Sequence, residues 1–200
     1  MTPQEMMDQA LVALERPDLG AMAVLRFPQA LRSAHSVEFL RRDLTTKVWT
    51  VASLGVLDGK VGVAVPVRLR KIHRIYTWDS AEVVVDEFSD LQNKPNLYEY
   101  YGHKILQTYN VFGPNLNLAG ISTNAITLRL EYFQFPTWEQ DGGVWITNSW
   151  IADLHPELII AYLQHQLAMV TEDANQISSA EKQIQMCRRD FIASHAEDIV

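Results

Sequence analysis

The feature that most limits what this chain can fold into is a double change of hydrophobic period along its length. Residues 3–44 and 153–195 carry apolar side chains at helical spacing, whereas residues 46–138 show the two-residue alternation and turn chemistry of short strands. A helix with one apolar stripe has to bury it against another layer. With helices at both ends and strands between, the two ends must meet for either to bury its face. The expected fold is therefore α+β. N- and C-terminal helices, residues 1–45 and 140–200, form a helical bundle, and residues 46–139 are an inserted antiparallel β-sheet or sandwich subdomain. A chain of 200 residues buries roughly 70% of its unfolded surface, so stability requires neither disulfide nor metal.

The helical ends read in detail. Thr2 can cap the first helix, Pro3 fits its first turn, and Glu5 suits its positive end. Met6, Ala10, Leu11 and Leu14 share a face, and Arg16-Pro17-Asp18-Leu19-Gly20 breaks the helix. A second helix is expected from about Met22 to Leu44, its true start nearer Phe27 because of Pro28. Near the other end, Asp153 or His155 is the expected cap before Pro156 and Glu157. Leu158, Ile159, Tyr162, Leu163, Leu167 and Val170 cover most of a circumference, which predicts a central core helix. Residues 171–175 are a link too short for anything but an antiparallel neighbour, whose stripe is Ile177, Ala180, Ile184, Cys187 and Phe191.

In the middle, Val61, Val63, Val65, Val67 and Leu69 alternate as one strand, with Pro66 suggesting an edge, and Asp58-Gly59 before it predicts a hairpin from the strand of Trp49 and Val51. Ile72, Ile75, Tyr76 and Trp78 make another strand. Ile126, Leu128, Leu130 and Tyr132 against Thr127, Arg129 and Glu131 are the cleanest alternation in the chain. Residues 112–115, Asn117 and Gly142-Gly143 are expected turns.

Charge and cysteine content narrow the class. The net charge is −7, divided as +3 over residues 1–80 and −10 over residues 81–200. Such a balance suits a chain that does not wrap a nucleic-acid backbone. Arg41-Arg42 and the cluster Arg68, Arg70, Lys71 and Arg74 are basic islands that read as solvated faces or as docking patches for an acidic partner. One cysteine, Cys187, cannot form an intrachain bridge, which points to synthesis in a reducing cytoplasm. The N-terminal residues lack the apolar core of a signal peptide, and the longest apolar run, Leu158 to Val170, is interrupted by Gln164, His165 and Gln166, so no membrane span is expected.

No catalytic constellation stands out. His35, His73, His103, His155, His165 and His195 form no H-x-x-x-H or H-E-x-x-H pair, and Asp153 with His155 would need a third ligand from elsewhere. Nucleophile-elbow, P-loop and dinucleotide-binding motifs are absent. Cys187 reads as a small core residue, and Asp86, Glu87 and Asp90 as a solvated acidic face. Trp138, Trp145 and Trp150 close a core between sheet and bundle or anchor a subunit interface. No cofactor, no metal and no enzymatic activity are expected.

Two segments taken together carry a resemblance. Arg16-Pro17-Asp18-Leu19 precedes a long helical pattern ending at residues 37–44, and Trp145-Ile146-Thr147-Asn148 leads into residues 155–162, an acidic turn at Glu172-Asp173, and a final helix. This order resembles phage adaptor proteins, the head-to-tail connector or head-completion subunits related in architecture to podovirus tail tubular protein A. A departure is the Trp-rich stretch 145–150, with residues 148–152 inserted before His155. The resemblance implies a structural virion protein, made in the host cytoplasm, that forms a dodecameric homo-oligomer ring. Such a ring joins the portal protein to tail or nozzle proteins and passes genomic DNA without binding it specifically. It also implies a portal-docking C-terminal segment; the apolar stripe ends after about Phe191, so the residues beyond it are expected as a docking element outside the fold, with Ser194, His195, Ile199 and Val200 as candidates, and Arg41, Arg42, Trp145 and Trp150 are candidate interface residues. The alternative is a tail-accessory or receptor-type β binding module braced by helices.

Overall fold

The computed structural model describes residues 1–51, 60–78, 84–90, 108–112, 114–119 and 126–199. Its elements are α1 (Pro3–Ala13), α2 (Gly20–His35), β1 (Leu44–Val51), β2 (Lys60–Ala64), β3 (Leu69–Trp78), β4 (Val84–Asp90) and β5 (Thr108–Phe112). They continue with β6 (Asn115–Ala119), β7 (Ile126–Gln134), β8 (Glu139–Asp141), β9 (Val144–Ile146), α3 (Trp150–Leu154), α4 (Pro156–Thr171) and α5 (Ala174–Ser194). The fold is α+β. Two compact units divide the chain, Met1–Asp43 with Phe135–Val200, and Leu44–Gln134.

The helical unit is built around α4, which packs against α1, α2 and α5. Its buried face comprises Leu158, Ile159, Ile160, Ala161, Leu163, Leu167 and Ala168, so three neighbours are needed to cover it. α1 opens with a reciprocal cap: Thr2 Oγ1 accepts from the Glu5 amide at 3.2 Å, and Glu5 Oε2 accepts from the Thr2 amide at 2.8 Å. The Arg16–Gly20 break is a 3-10 turn over Pro17–Leu19 that feeds directly into α2.

Several expected boundaries move. α2 starts at Gly20, not near Phe27, and ends at His35, not Leu44. Pro28 lies inside it. The missing N–H removes one rung, but Ala23, Phe27, Ala30, Leu31 and Ala34 are all buried, and that packing carries the helix through. The stop comes at Ser36, whose hydroxyl donates back to the Arg32 carbonyl at 2.7 Å. Beyond it Val37 and Leu40 are buried in non-helical backbone. His155, one of the two expected caps, is the N-cap residue of α4, and ahead of it a short α3 starts with Ser149 Oγ accepting from the Ala152 amide. Asp153 lies exposed within α3, and His155 precedes α4 without a side-chain cap bond. Asp173 caps α5, accepting from the amides of Asn175 and Gln176 at 3.0 and 3.1 Å.

Residues 135–139, expected with the strands, belong to the helical side: Trp138 stacks on Phe27 with ring centroids 4.6 Å apart, and on Trp145 at 4.5 Å. Between those tryptophans β8 and β9 form a hairpin. Its turn is Gly142-Gly143, at φ 56° and 86°. Two consecutive left-handed residues match the twist of a tight hairpin, and glycine adopts them without strain.

In the β unit the strand order is β1-β7-β3-β4-β5-β6-β2. Pairing is antiparallel except for β4 with β5, which run parallel over two residue pairs. β7, the cleanest alternation in the sequence, lies between β1 and β3, and buries Leu128, Leu130 and Tyr132 with Ile75 and Leu116. β1 runs opposite β7 from Leu44↔Phe133 to Val51↔Ile126. The strands that leave and rejoin the helical sequence are thus direct partners.

The valine run is not one strand. β2 stops at Ala64, Val67 is 79% exposed, and Arg68 sits at φ 63° before β3 begins. Pro66 cannot donate to a ladder, and a turn forms there instead, with the Pro66 carbonyl accepting from the Leu69 amide at 3.2 Å. Nor do β1 and β2 form a hairpin, since they stand at opposite ends of the strand order; Asp58-Gly59 itself lies outside the described residues. Where a turn is expected at residues 112–115, Phe112 ends β5 opposite Asn115 at the start of β6, and Gly113 lies outside the described residues; Asn117 lies within β6 opposite Asn110.

Candidate functional site

Chemistry-bearing side chains concentrate in the helical unit, where three chain segments cross. The last turn of α2 turns His35 inward, the 3-10 turn Arg41–Asp43 supplies Asp43, and Ser149 arrives as the cap of α3. His35 Nε2 lies 2.7 Å from Ser149 Oγ, a partner 114 positions away in sequence. His35 Nδ1 lies 3.3 and 3.4 Å from the two oxygens of Asp43. The Trp150 indole N–H donates to Asp43 Oδ1 at 2.8 Å. Asp43 can only accept, so His35 Nδ1 turns a hydrogen toward the carboxylate, and Nε2 shares a hydrogen with the Ser149 hydroxyl.

A serine, an imidazole and a carboxylate in this sequence form the constellation used to activate a hydroxyl nucleophile. Here the three are 2%, 3% and 8% exposed. A nucleophile must reach a substrate carbon, and this hydroxyl is enclosed and also caps α3. The arrangement is a satisfied buried polar network. It ties α2, the turn after it and α3 together through bonds whose loss would leave orphaned buried groups.

Beside it lies a second cluster. His155 Nε2 and His195 Nε2 are 2.9 Å apart. Trp150 stacks on Phe191 at 5.8 Å and meets the His195 ring edge-on at 5.2 Å. The Arg42 guanidinium lies over the Trp150 ring at 5.3 Å and reaches Asp198 Oδ2 at 3.2 Å. The Arg41 amide donates to the Asp198 carbonyl at 2.9 Å, and Leu40 forms an antiparallel bridge with Ile199. Burial first, then the neighbouring His155 and Arg42, push the His195 imidazole below its ordinary range.

The expectation that the chain beyond Phe191 stands outside the fold is therefore corrected. α5 continues to Ser194, whose hydroxyl donates to the Phe191 carbonyl, His195 is buried, and Ile199 is bridged to Leu40. Loss of the apolar stripe after Phe191 reflects a turn, not release: the Asp198 amide donates to the His195 carbonyl at 2.9 Å. Val200 lies outside the described residues. Of the interface candidates, Arg41 and Arg42 are exposed, and Arg42 is held by Asp198 and Trp150. Trp145 and Trp150 are half-buried against the helical core.

The remaining candidates scatter. Cys187 is buried, and burial followed by the charge of Glu157 pushes its thiol up. His165 faces Glu181 at 3.7 Å, and His73 meets Phe133 edge-on at 5.8 Å. His103 lies outside the described residues. Arg70 and Lys71 are on β3 with Arg74, which stacks over Tyr76 at 4.7 Å. Asp86, Glu87 and Asp90 fall on β4. Among the described residues no group of three or more His, Cys, Asp or Glu is placed to hold a metal ion, and no helix is long and apolar enough to cross a membrane.

The chain matches no protein-family model and no curated protein sequence.

Proposed function

We propose that this chain is a non-enzymatic assembly subunit, a head-to-tail connector that joins a portal to a tail as one copy in a ring. The observation that carries the reading is the order of elements. Helices from both chain ends form one unit around α4, and the intervening β unit leaves and returns on the paired strands β1 and β7. This is the layout that the resemblance to phage adaptor proteins implies. Two further observations support it. The hydroxyl of the Ser149–His35–Asp43 network is enclosed, and the net charge of −7 suits a channel through which DNA slides without sticking. In this reading the C-terminal segment contributes as a folded surface beside Arg41 and Arg42 rather than as a loose tail.

The test is assembly. Purified protein mixed with portal-bearing heads should co-sediment with them and appear as a ring beneath the portal by electron microscopy. A chain that stays at 22.8 kDa in the presence of portals, and never sediments with heads, would rule the reading out.

A further inference from the structure

We propose that residues 195–199 form an acid-released strap, held closed by the single proton that His155 and His195 share. Two imidazole nitrogens 2.9 Å apart have room for one hydrogen between them. One ring donates and the other accepts. Both far nitrogens face a carboxylate, His155 Nδ1 at 3.3 Å from Glu157 Oε1 and His195 Nδ1 at 3.7 Å from Asp198 Oδ2. When both rings are charged, both Nε2 atoms carry hydrogens, and two N–H groups collide across this contact.

The surroundings oppose a charge on His195 from each neighbouring element. His155 faces it from the start of α4, and Arg42 from the 3-10 turn; Asp198, on the strap itself, is a carboxylate beside it that favours the charge, but it is shared with Arg42. Asp43 is occupied by the Trp150 indole, whose ring lies edge-on to His195. A group held neutral in the closed state and free to protonate in the open one sets the sign. The closed form has its full stability above the free imidazole value of about 6.5, and loses stability as pH falls below it. Beyond His195 the strap is held by the Arg41–Asp198 backbone bond, the Leu40–Ile199 bridge and the half-exposed Arg42–Asp198 pair. Such contacts are weak without their buried anchor. α5 keeps Phe191 in the core and stays in place.

The experiment is an NMR titration of the full chain from about pH 7.5 to about pH 5, spanning the imidazole range. It follows the His195 ring signals and, corrected for intrinsic exchange, the protection of the Arg41 amide. Protection of Arg41 should begin to fall below about pH 6.5 and drop about tenfold or more by about pH 5, while the Leu163 amide in α4 stays protected. His195→Gln, which cannot charge, should abolish that pH dependence. Arg41 protection that is flat across the range, or that falls together with Leu163, would overturn the proposal, as would an undiminished pH dependence in His195→Gln. Should that variant fail to fold, the fall of Arg41 protection below about pH 6.5 with Leu163 still protected, or its absence, in the native chain still decides.

Discussion

Ser149 shows how much one side chain can hold in this fold. Its hydroxyl caps α3 and shares a hydrogen with the buried His35, which in turn faces Asp43. Ser149→Ala removes the cap and leaves His35 Nε2 without a partner in a dry site, so a loss of about 1–3 kcal/mol is expected in urea unfolding. Because the hydroxyl is enclosed, ester hydrolysis by the native protein should not exceed that of the variant. A measurable difference would mean that the site opens to substrate. Cys187 makes the opposite point, a reactive group closed off by packing. It is buried with its thiol pushed up, so a thiol reagent should label it only at the rate at which the native state opens, and promptly in denaturant.

Among the elements α4 dominates. It is the one helix that α1, α2 and α5 all touch, and its buried face leaves little of the circumference free. Leu163 is fully buried in the core that these helices share. Leu163→Ala should therefore cost about 2–5 kcal/mol, read as a lower unfolding midpoint. An unchanged midpoint would show that α4 is not the helix that organises the unit.

At the scale of the whole molecule, the β unit is an insertion whose ends are already joined. Leu44 and Phe133 face each other across β1 and β7, a separation of about 4.5–5.5 Å in an antiparallel pair. Replacing residues 45–132 by a short Gly-Ser turn should therefore leave the helical unit, with its own core, able to fold. The shortened chain should unfold in one cooperative transition with helical circular dichroism. A chain without cooperative unfolding would show that the helices depend on the β unit for stability.

What the sequence determined by itself was the class of fold and its order, since both follow from local periodicity. The α4 circumference except for Val170, which is exposed, the α5 stripe of Ala180, Cys187 and Phe191, the Thr2–Glu5 cap and the β7 alternation are each written within a few consecutive turns or residues, where sequence spacing and spatial spacing coincide. Residues whose conformation depends on distant partners were not legible in this way. Pro28 is carried inside α2 by buried neighbours, and the valine run breaks at Pro66 because its next strand pairs with β7, not with itself. The His35–Ser149 contact spans 114 positions, and no local signal announces it. The C-terminal segment read as a tail because its stripe ends. It is structured because His155, Leu40 and Arg41 happen to stand where it turns. Hydrogen bonds and bridges between remote segments come into being only when the chain is packed, so tertiary structure alone decided which polar residues are buried, which are paired, and where the end of the chain is held.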